Sequence, residues 1–170
     1  MSSEPLPSLR QVFDEHGRYI FRALRHLGVA DSDVEDSCQE VFIVAHKALP
    51  GFAGRSTLRT WLYGICLRVA SDYRRRAYVR RERAFAEMPA EAAGFAGEPP
   101  RSTPESRHAI RSLLELLDED KRAVLVLYEI EGFTMKEVAE IVGCPLQTAY
   151  SRLYAARESL MAAVKDQESA

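Results

Sequence analysis

The sequence predicts an all-α protein made of two small helical domains joined by a flexible linker, and three observations predict it. Apolar residues recur at helical spacing through most of the chain. Helix-start residues precede several of these runs, and glycine or proline follows them. Between 84 and 107 the pattern lapses into alanine, glycine and glutamate with Pro89, Pro99, Pro100 and Pro104, the composition of a linker. The expected division is an N-terminal domain over 1–83, the linker over 84–107 and a C-terminal domain over 108–170.

Leu9, Val12, Phe13, Ile20, Leu24 and Leu27 give the first helix a core-facing row, which Gly28 stops. Ser32 and Glu35 then fit a capping box, so a second helix is expected from Asp33. Its buried stripe reads Val34, Cys38, Val41, Phe42, Ala45 and Leu49. Asp36, Gln39, Glu40, Ile43 and Lys47 fall on the opposite face, which is either a docking surface for protein or a solubilising acidic face. After the break at Pro50-Gly51, Ser56 or Thr57 opens a third helix with Leu58, Leu62, Ile65 and Val69 inward. Trp61 and Tyr63 lie off that row, as edge-of-core aromatics or as a stacking platform for an unpaired base beside Arg55, Arg59 and Arg68.

In the C-terminal part, Leu113, Leu114, Leu116 and Leu117 end one helix and Asp118 caps the next, whose inner face is Val124, Leu127 and Tyr128, up to Gly132. Thr134 and Glu137 form a second capping box before a short helix with Val138, Ile141 and Val142 inward. Gly143-Cys144-Pro145 makes the turn into a last helix that buries Leu146, Ala149, Leu153, Ala156 and Leu160. Short helix, turn and longer amphipathic helix are the signature of a helix-turn-helix, with Ala139 small enough for close approach. On the last helix Gln147, Thr148, Ser151, Ala155 and Glu158 project opposite the buried row, with Tyr150, Arg152, Tyr154 and Arg157 on its flanks. The outer group suits base edges and the flanking arginines suit phosphates.

Charge adds a functional hint. From Arg55 to Arg83 nine arginines stand against Asp72 and Glu82, in a chain whose net charge is −2. Such a concentration is a footprint for a polyanion, although a solvated basic helix end has the same composition. The region 108–170 has 7 basic against 11 acidic residues, weak for free-standing DNA binding. No apolar run reaches the ~20 residues of a membrane span, and Met1 to Arg10 lacks the apolar core of a signal peptide, so no membrane insertion and a cytoplasmic location are expected. Cys38, Cys66 and Cys144 are isolated from one another, so neither a metal site nor a disulfide framework is expected. No nucleophile, histidine and carboxylate fall in a recognisable order and no glycine-rich phosphate loop appears, so neither an enzyme nor a bound cofactor is expected.

The run Asp36-Ser-Cys-Gln39-Glu40-Val-Phe42, followed by Phe52 to Tyr63 and by Asp72-Tyr-Arg-Arg-Arg76, resembles domain 2 of the extracytoplasmic-function sigma factors of the sigma-70 family. The segment Asp118 to Leu160 resembles domain 4 of the same family. The resemblance implies polymerase docking through Asp36, Gln39, Glu40 and Ile43. It implies binding and melting of the −10 element by Phe52, Arg55, Arg59, Trp61, Tyr63, Arg68, Arg74, Arg75 and Arg76. It implies −35 contacts from Gln147, Thr148, Tyr150, Ser151, Arg152, Tyr154 and Arg157. Core RNA polymerase, promoter DNA and an anti-sigma factor are the partners it implies. Arg68 stands where the family commonly has an asparagine, and arginine cannot reproduce the paired donor and acceptor of an amide. A basic residue is frequent where Tyr150 and Ala155 stand. Two rival readings are a stand-alone helix-turn-helix regulator, separable by gel shift without polymerase, and a sigma mimic that titrates an anti-sigma factor, which would give no promoter-directed transcript.

Overall fold

The computed structural model describes the backbone of residues 7–87 and 105–168, and the side chains of 7–82 and 109–165. Every regular element among the described residues is helical: α1 (Leu9–His26), α2 (Val34–Ala48), α3 (Leu58–Glu87), α4 (Glu105–Glu115), α5 (Glu119–Leu125), α6 (Met135–Val142) and α7 (Leu146–Glu168). A 3-10 turn, Leu49–Gly51, follows α2, and a π-helical turn, Val126–Ile130, extends α5. Helices α1 to α3 form one bundle and α5 to α7 a second, to which the end of α4 is tied through Arg122. Most of the segment expected as linker lies outside the described residues, but α3 continues to Glu87 and α4 begins at Glu105, inside that segment.

Local signals explain most of the helix ends. The Ser8 hydroxyl accepts from the Gln11 amide while the Gln11 side chain accepts from the Ser8 amide, which starts α1. Thr57 caps α3 by accepting from the Thr60 amide at 3.1 Å. Asp118 accepts from the Lys121 amide, Thr134 and Glu137 close a capping box, and Gly143 ends α6 at φ +68°. The capping box expected at Ser32 does not form. Asp33 sits at the N-cap of α2 with no side-chain cap bond, and its carboxylate instead accepts from the Tyr73 hydroxyl of α3 at 2.7 Å. A tertiary partner has outcompeted the local one.

The first bundle buries Val12, Ile20, Leu24, Val34, Val41, Leu62, Ile65 and Val69; the second buries Val124, Leu127, Val138, Ala149, Leu153 and Ala156. Two residues expected inside are outside: Phe13 is 57% exposed and Leu146 47%. Phe13 lies over the edge of α2 against Phe42, ring centroids 5.0 Å apart. Tyr63, expected at the edge, is fully buried.

Tyr63 is buried because the two bundles pack together. Phe133 of the second bundle meets its ring edge-on at 5.6 Å, and Tyr19 of α1 lies 5.7 Å away on the first. Beside them the Glu131 side chain is completely buried. Arg22 reaches its Oε2 at 3.3 Å, Arg59 stands 3.6 Å from the same oxygen and donates to the Glu131 carbonyl at 2.6 Å, and His26 Nδ1 lies 3.6 Å from Oε1. The Arg59 guanidinium also lies over the Phe133 ring at 4.6 Å. Burial alone would raise the Glu131 carboxyl pKa, but His26 and Arg22 outweigh it and hold the group below its ordinary range. At a second contact, Gly28 at φ +97° leaves room for Arg122, whose Nη1 would lie 2.5 Å from an added Cβ. Arg122 in turn donates to the Leu114, Glu115 and Leu117 carbonyls and so holds the end of α4.

Two outcomes are expected. Glu131→Gln removes the charge that joins the bundles and should weaken their contact by about 1.5–3 kcal/mol, seen as a larger radius of gyration in small-angle scattering. Because the folded carboxyl pKa is depressed, its contribution is fully present above the ordinary value of 4.5 and is lost as pH falls through the folded value. Acid expansion below that point should therefore be steeper for the unsubstituted chain than for Glu131→Gln. Gly28→Ala puts a Cβ at a left-handed position against Arg122 and should lower unfolding stability by about 1–2 kcal/mol in thermal denaturation.

Candidate docking and nucleic-acid interfaces

Helix periodicity sorts the expected site residues into faces. On α2, Asp36, Gln39 and Ile43 are exposed and Glu40 is half-buried, one outer row one turn apart. Ile43 is 54% exposed, and with Phe13 and Phe42 it lines an apolar groove between α1 and α2 of about 820 Å³. Reading the sequence missed Phe13 as part of this face, because its spacing fits a core row equally well. A strongly apolar opening rimmed by Gln39, Asp14 and Arg10 is suited to protein rather than to a phosphate backbone.

Helix α3 divides its expected nucleic-acid residues between two sides. Trp61, Arg68 and Arg75 recur every seven residues and share a face. Phe52 packs on Trp61 at 5.2 Å, both half-buried, and Arg55 is exposed in the preceding loop. Arg68 is exposed and donates its Nε to the Gly64 carbonyl at 3.3 Å, leaving its terminal nitrogens outward. This row offers an aromatic surface followed by guanidinium groups, the combination that holds stacked single-stranded bases and their phosphates.

The other side of α3 faces protein. Arg59 is held by Glu131, Arg74 lies 3.9 Å from Glu119 of α5, and Tyr63 is core. Tyr63 is thus covered in the packed arrangement by the Phe133 ring, which sequence spacing could not reveal. Arg76 pairs with Glu40 of α2 at 3.1 Å and Arg75 with Asp72 at 2.6 Å. The Arg76–Glu40 pair bridges the acidic and basic faces across a groove of about 640 Å³ between α2 and α3.

The outer face of α7 carries Gln147, Tyr150, Ser151 and Tyr154 exposed, with Thr148 half-buried. The Tyr150 and Tyr154 rings run nearly parallel, 6.5 Å apart. Helix α6 packs against α7 behind this face, as a helix-turn-helix requires. Arg152 pairs with Asp120 at 2.5 Å, and Arg157 pairs with Glu129. Both are surface pairs, which contribute little to folding and leave each guanidinium exchangeable for a phosphate. Among the described residues no cluster of three or more His, Cys, Asp or Glu could hold a metal ion, and no helix is long and apolar enough to cross a membrane.

Two family models match the chain: sigma-70 region 2 over residues 12–80 and sigma-70, region 4 over residues 107–160. The chain is 35% identical over 143 residues to the ECF RNA polymerase sigma-E factor of Escherichia coli K12, covering 78% of this chain and 74% of that protein. It is 32% identical over 142 residues to the protein of the same description from Haemophilus influenzae, covering 78% and 75%. Among solved structures, it is similar to CnrH in complex with the cytosolic domain of CnrY, at 25% identity and a TM-score of 0.68 over 93% of this chain and 88% of that one. The sigma factor RpoE of Bartonella quintana, solved with the anti-sigma factor NepR, matches at 22% identity and a TM-score of 0.65 over 92% and 96%, a likeness of fold.

Proposed function

Because this chain belongs to the sigma-70 family and to its extracytoplasmic-function group, we propose that it is a sigma factor that binds core RNA polymerase, directs it to promoters and assists strand opening. The observation that carries the reading is the pairing of two unlike faces on adjacent helices. One is the acidic and apolar row Asp36, Gln39, Glu40 and Ile43 of α2, extended by Phe13, and it docks the polymerase. The other is the Phe52, Trp61, Arg68 and Arg75 row of α3, with Arg55 in the loop before it and Arg76 at its margin, and it holds the separated −10 strand, which Arg74 reaches only once it leaves Glu119. Gln147, Thr148, Tyr150, Ser151 and Tyr154 read the −35 element, with Arg152 and Arg157 exchanging their carboxylate partners for phosphates. The chain contributes no catalysis of its own and acts in the cytoplasm, where the polymerase supplies the chemistry.

Arg59 belongs to the −10 set only after it leaves Glu131. The packed arrangement of the two bundles is accordingly a resting form, and engagement with polymerase and promoter separates them. A partner that favours the packed form restrains the protein, which is the action expected of an anti-sigma factor.

Run-off transcription with purified core polymerase tests the function: a transcript from a defined start supports it, and no promoter-directed transcript refutes it. Asp36→Lys, at an exposed position with no ion pair among the described residues, should weaken core binding by about tenfold in a pull-down titration, and unchanged affinity would remove α2 as the docking face. Trp61→Ala removes a stacking surface worth roughly 1–3 kcal/mol per base. It should reduce permanganate reactivity of the opened strand more than closed-complex formation, with circular dichroism confirming that the variant is folded.

A further inference from the structure

The outer surface of α7 carries a row whose chemistry differs from that of its neighbours. Leu146, Tyr150 and Tyr154 recur every four residues and are 47%, 37% and 61% exposed, a strip one side chain wide along one flank of the outward face. The Tyr150 and Tyr154 rings lie 6.5 Å apart with their planes at 23°, so each limits the rotation of the other. Rigid aromatic side chains held in this way lose little freedom when a ligand covers them.

The same stretch offers no unpaired cation. From Leu146 to Ala155 the charged residue is Arg152 alone, and Asp120 holds it at 2.5 Å. Arg157, one turn beyond Tyr154, is held by Glu129. The Ser151 hydroxyl donates to the Gln147 carbonyl at 3.0 Å. In the major groove a guanine shows two acceptors, O6 and N7, which an arginine or lysine matches with paired donors. A thymine shows a 5-methyl group beside one acceptor, O4, which an apolar side chain and a single donor match. A tyrosine has both.

We propose that Tyr150 and Tyr154 are specificity-determining residues for the −35 element, and that they select thymines through their 5-methyl groups. The inference rests on the reading in which α7 enters the major groove, and it adds which bases that helix prefers. Each ring covers a methyl group while its hydroxyl donates to O4. Rings 6.5 Å apart span two to three base pairs at a rise of ~3.4 Å each, so the selected site holds a short run of thymines on one strand. Gln147, exposed one turn earlier, supplies the paired donor and acceptor that suit an adenine beside that run. A partner protein would need a wider apolar face than this strip, which Gln147 and Ser151 border.

The test uses the full chain assembled with core polymerase, and duplex DNA with a randomised −35 segment and a −10 segment opened beforehand, so that binding does not wait on melting. Sequencing of the bound DNA should show at least two thymines within three consecutive base pairs. Replacing either thymine by deoxyuridine removes only its methyl group and should weaken binding about fourfold. Tyr150→Ala and Tyr154→Ala should each bring the thymine-to-uracil affinity ratio at one of these positions to about one, whereas Tyr154→Phe, which keeps the ring, should retain it. The deoxyuridine measurement on the unsubstituted chain stands whether or not a variant folds. Selection of guanine or cytosine in place of the thymines, equal affinity for thymine and uracil duplexes, or a methyl preference that survives in both alanine variants overturns the proposal. Run-off transcription separates the two readings: a transcript from a defined start without methyl preference sinks only the thymine assignment, and methyl-dependent binding by the free chain in a gel shift with no promoter-directed transcript sinks only the sigma-factor reading.

Discussion

A single buried carboxylate holds this structure in its observed form. Glu131 leaves water only because Arg22, His26 and Arg59 surround it, and all three come from the other bundle. A buried carboxylate without such partners would destabilise the fold by several kcal/mol, so the contact makes each bundle's surface dependent on the other. The Tyr19, Tyr63 and Phe133 rings and the Arg59 guanidinium over them add area and shape to the same contact. Two arginines of the trio remain near half exposed, which leaves them rehydratable when the bundles part.

This arrangement has a functional consequence at the level of individual side chains. The helix that carries the exposed row of Trp61, Arg68 and Arg75 also carries, on its opposite side, the residues that face the second bundle. Trp61 and Arg68 stay available while Arg59 and Arg74 are engaged. Likewise Arg152 and Arg157 of the reading helix rest on carboxylates of their own bundle. These four guanidinium groups already have acidic partners, so on the proposed reading their binding of nucleic acid is an exchange of anions rather than the gain of a first one.

The helices and the exposed outer face of α2 were legible in the sequence, because helix caps and one-face periodicity act over three or four residues. Thr134 with Glu137, the Asp118 cap and the Gly143 stop all formed as local chemistry dictates. What escaped depended on residues remote in the chain. Ser32 and Glu35 have the form of a capping box, yet the Asp33 carboxylate is drawn to Tyr73, 40 residues on. Tyr63 looked like an edge aromatic because Phe133 lies on another domain. Glu131 carried no local signal at all, as its partners Arg22 and Arg59 stand 109 and 72 positions away. Phe13 and Leu146 were misread for a simpler reason: a helical period marks a stripe, and an apolar stripe wider than the core leaves residues at its margin in solvent.

The central claim is that the two bundles rest together and part when the protein engages polymerase. Single-molecule energy transfer between dyes on exposed positions of α1 and α7 measures this directly, in the free chain and after addition of core enzyme. The account predicts a high-transfer population that converts to low transfer on binding core. A low-transfer population in the free chain, or an unchanged distance in the complex, would contradict it.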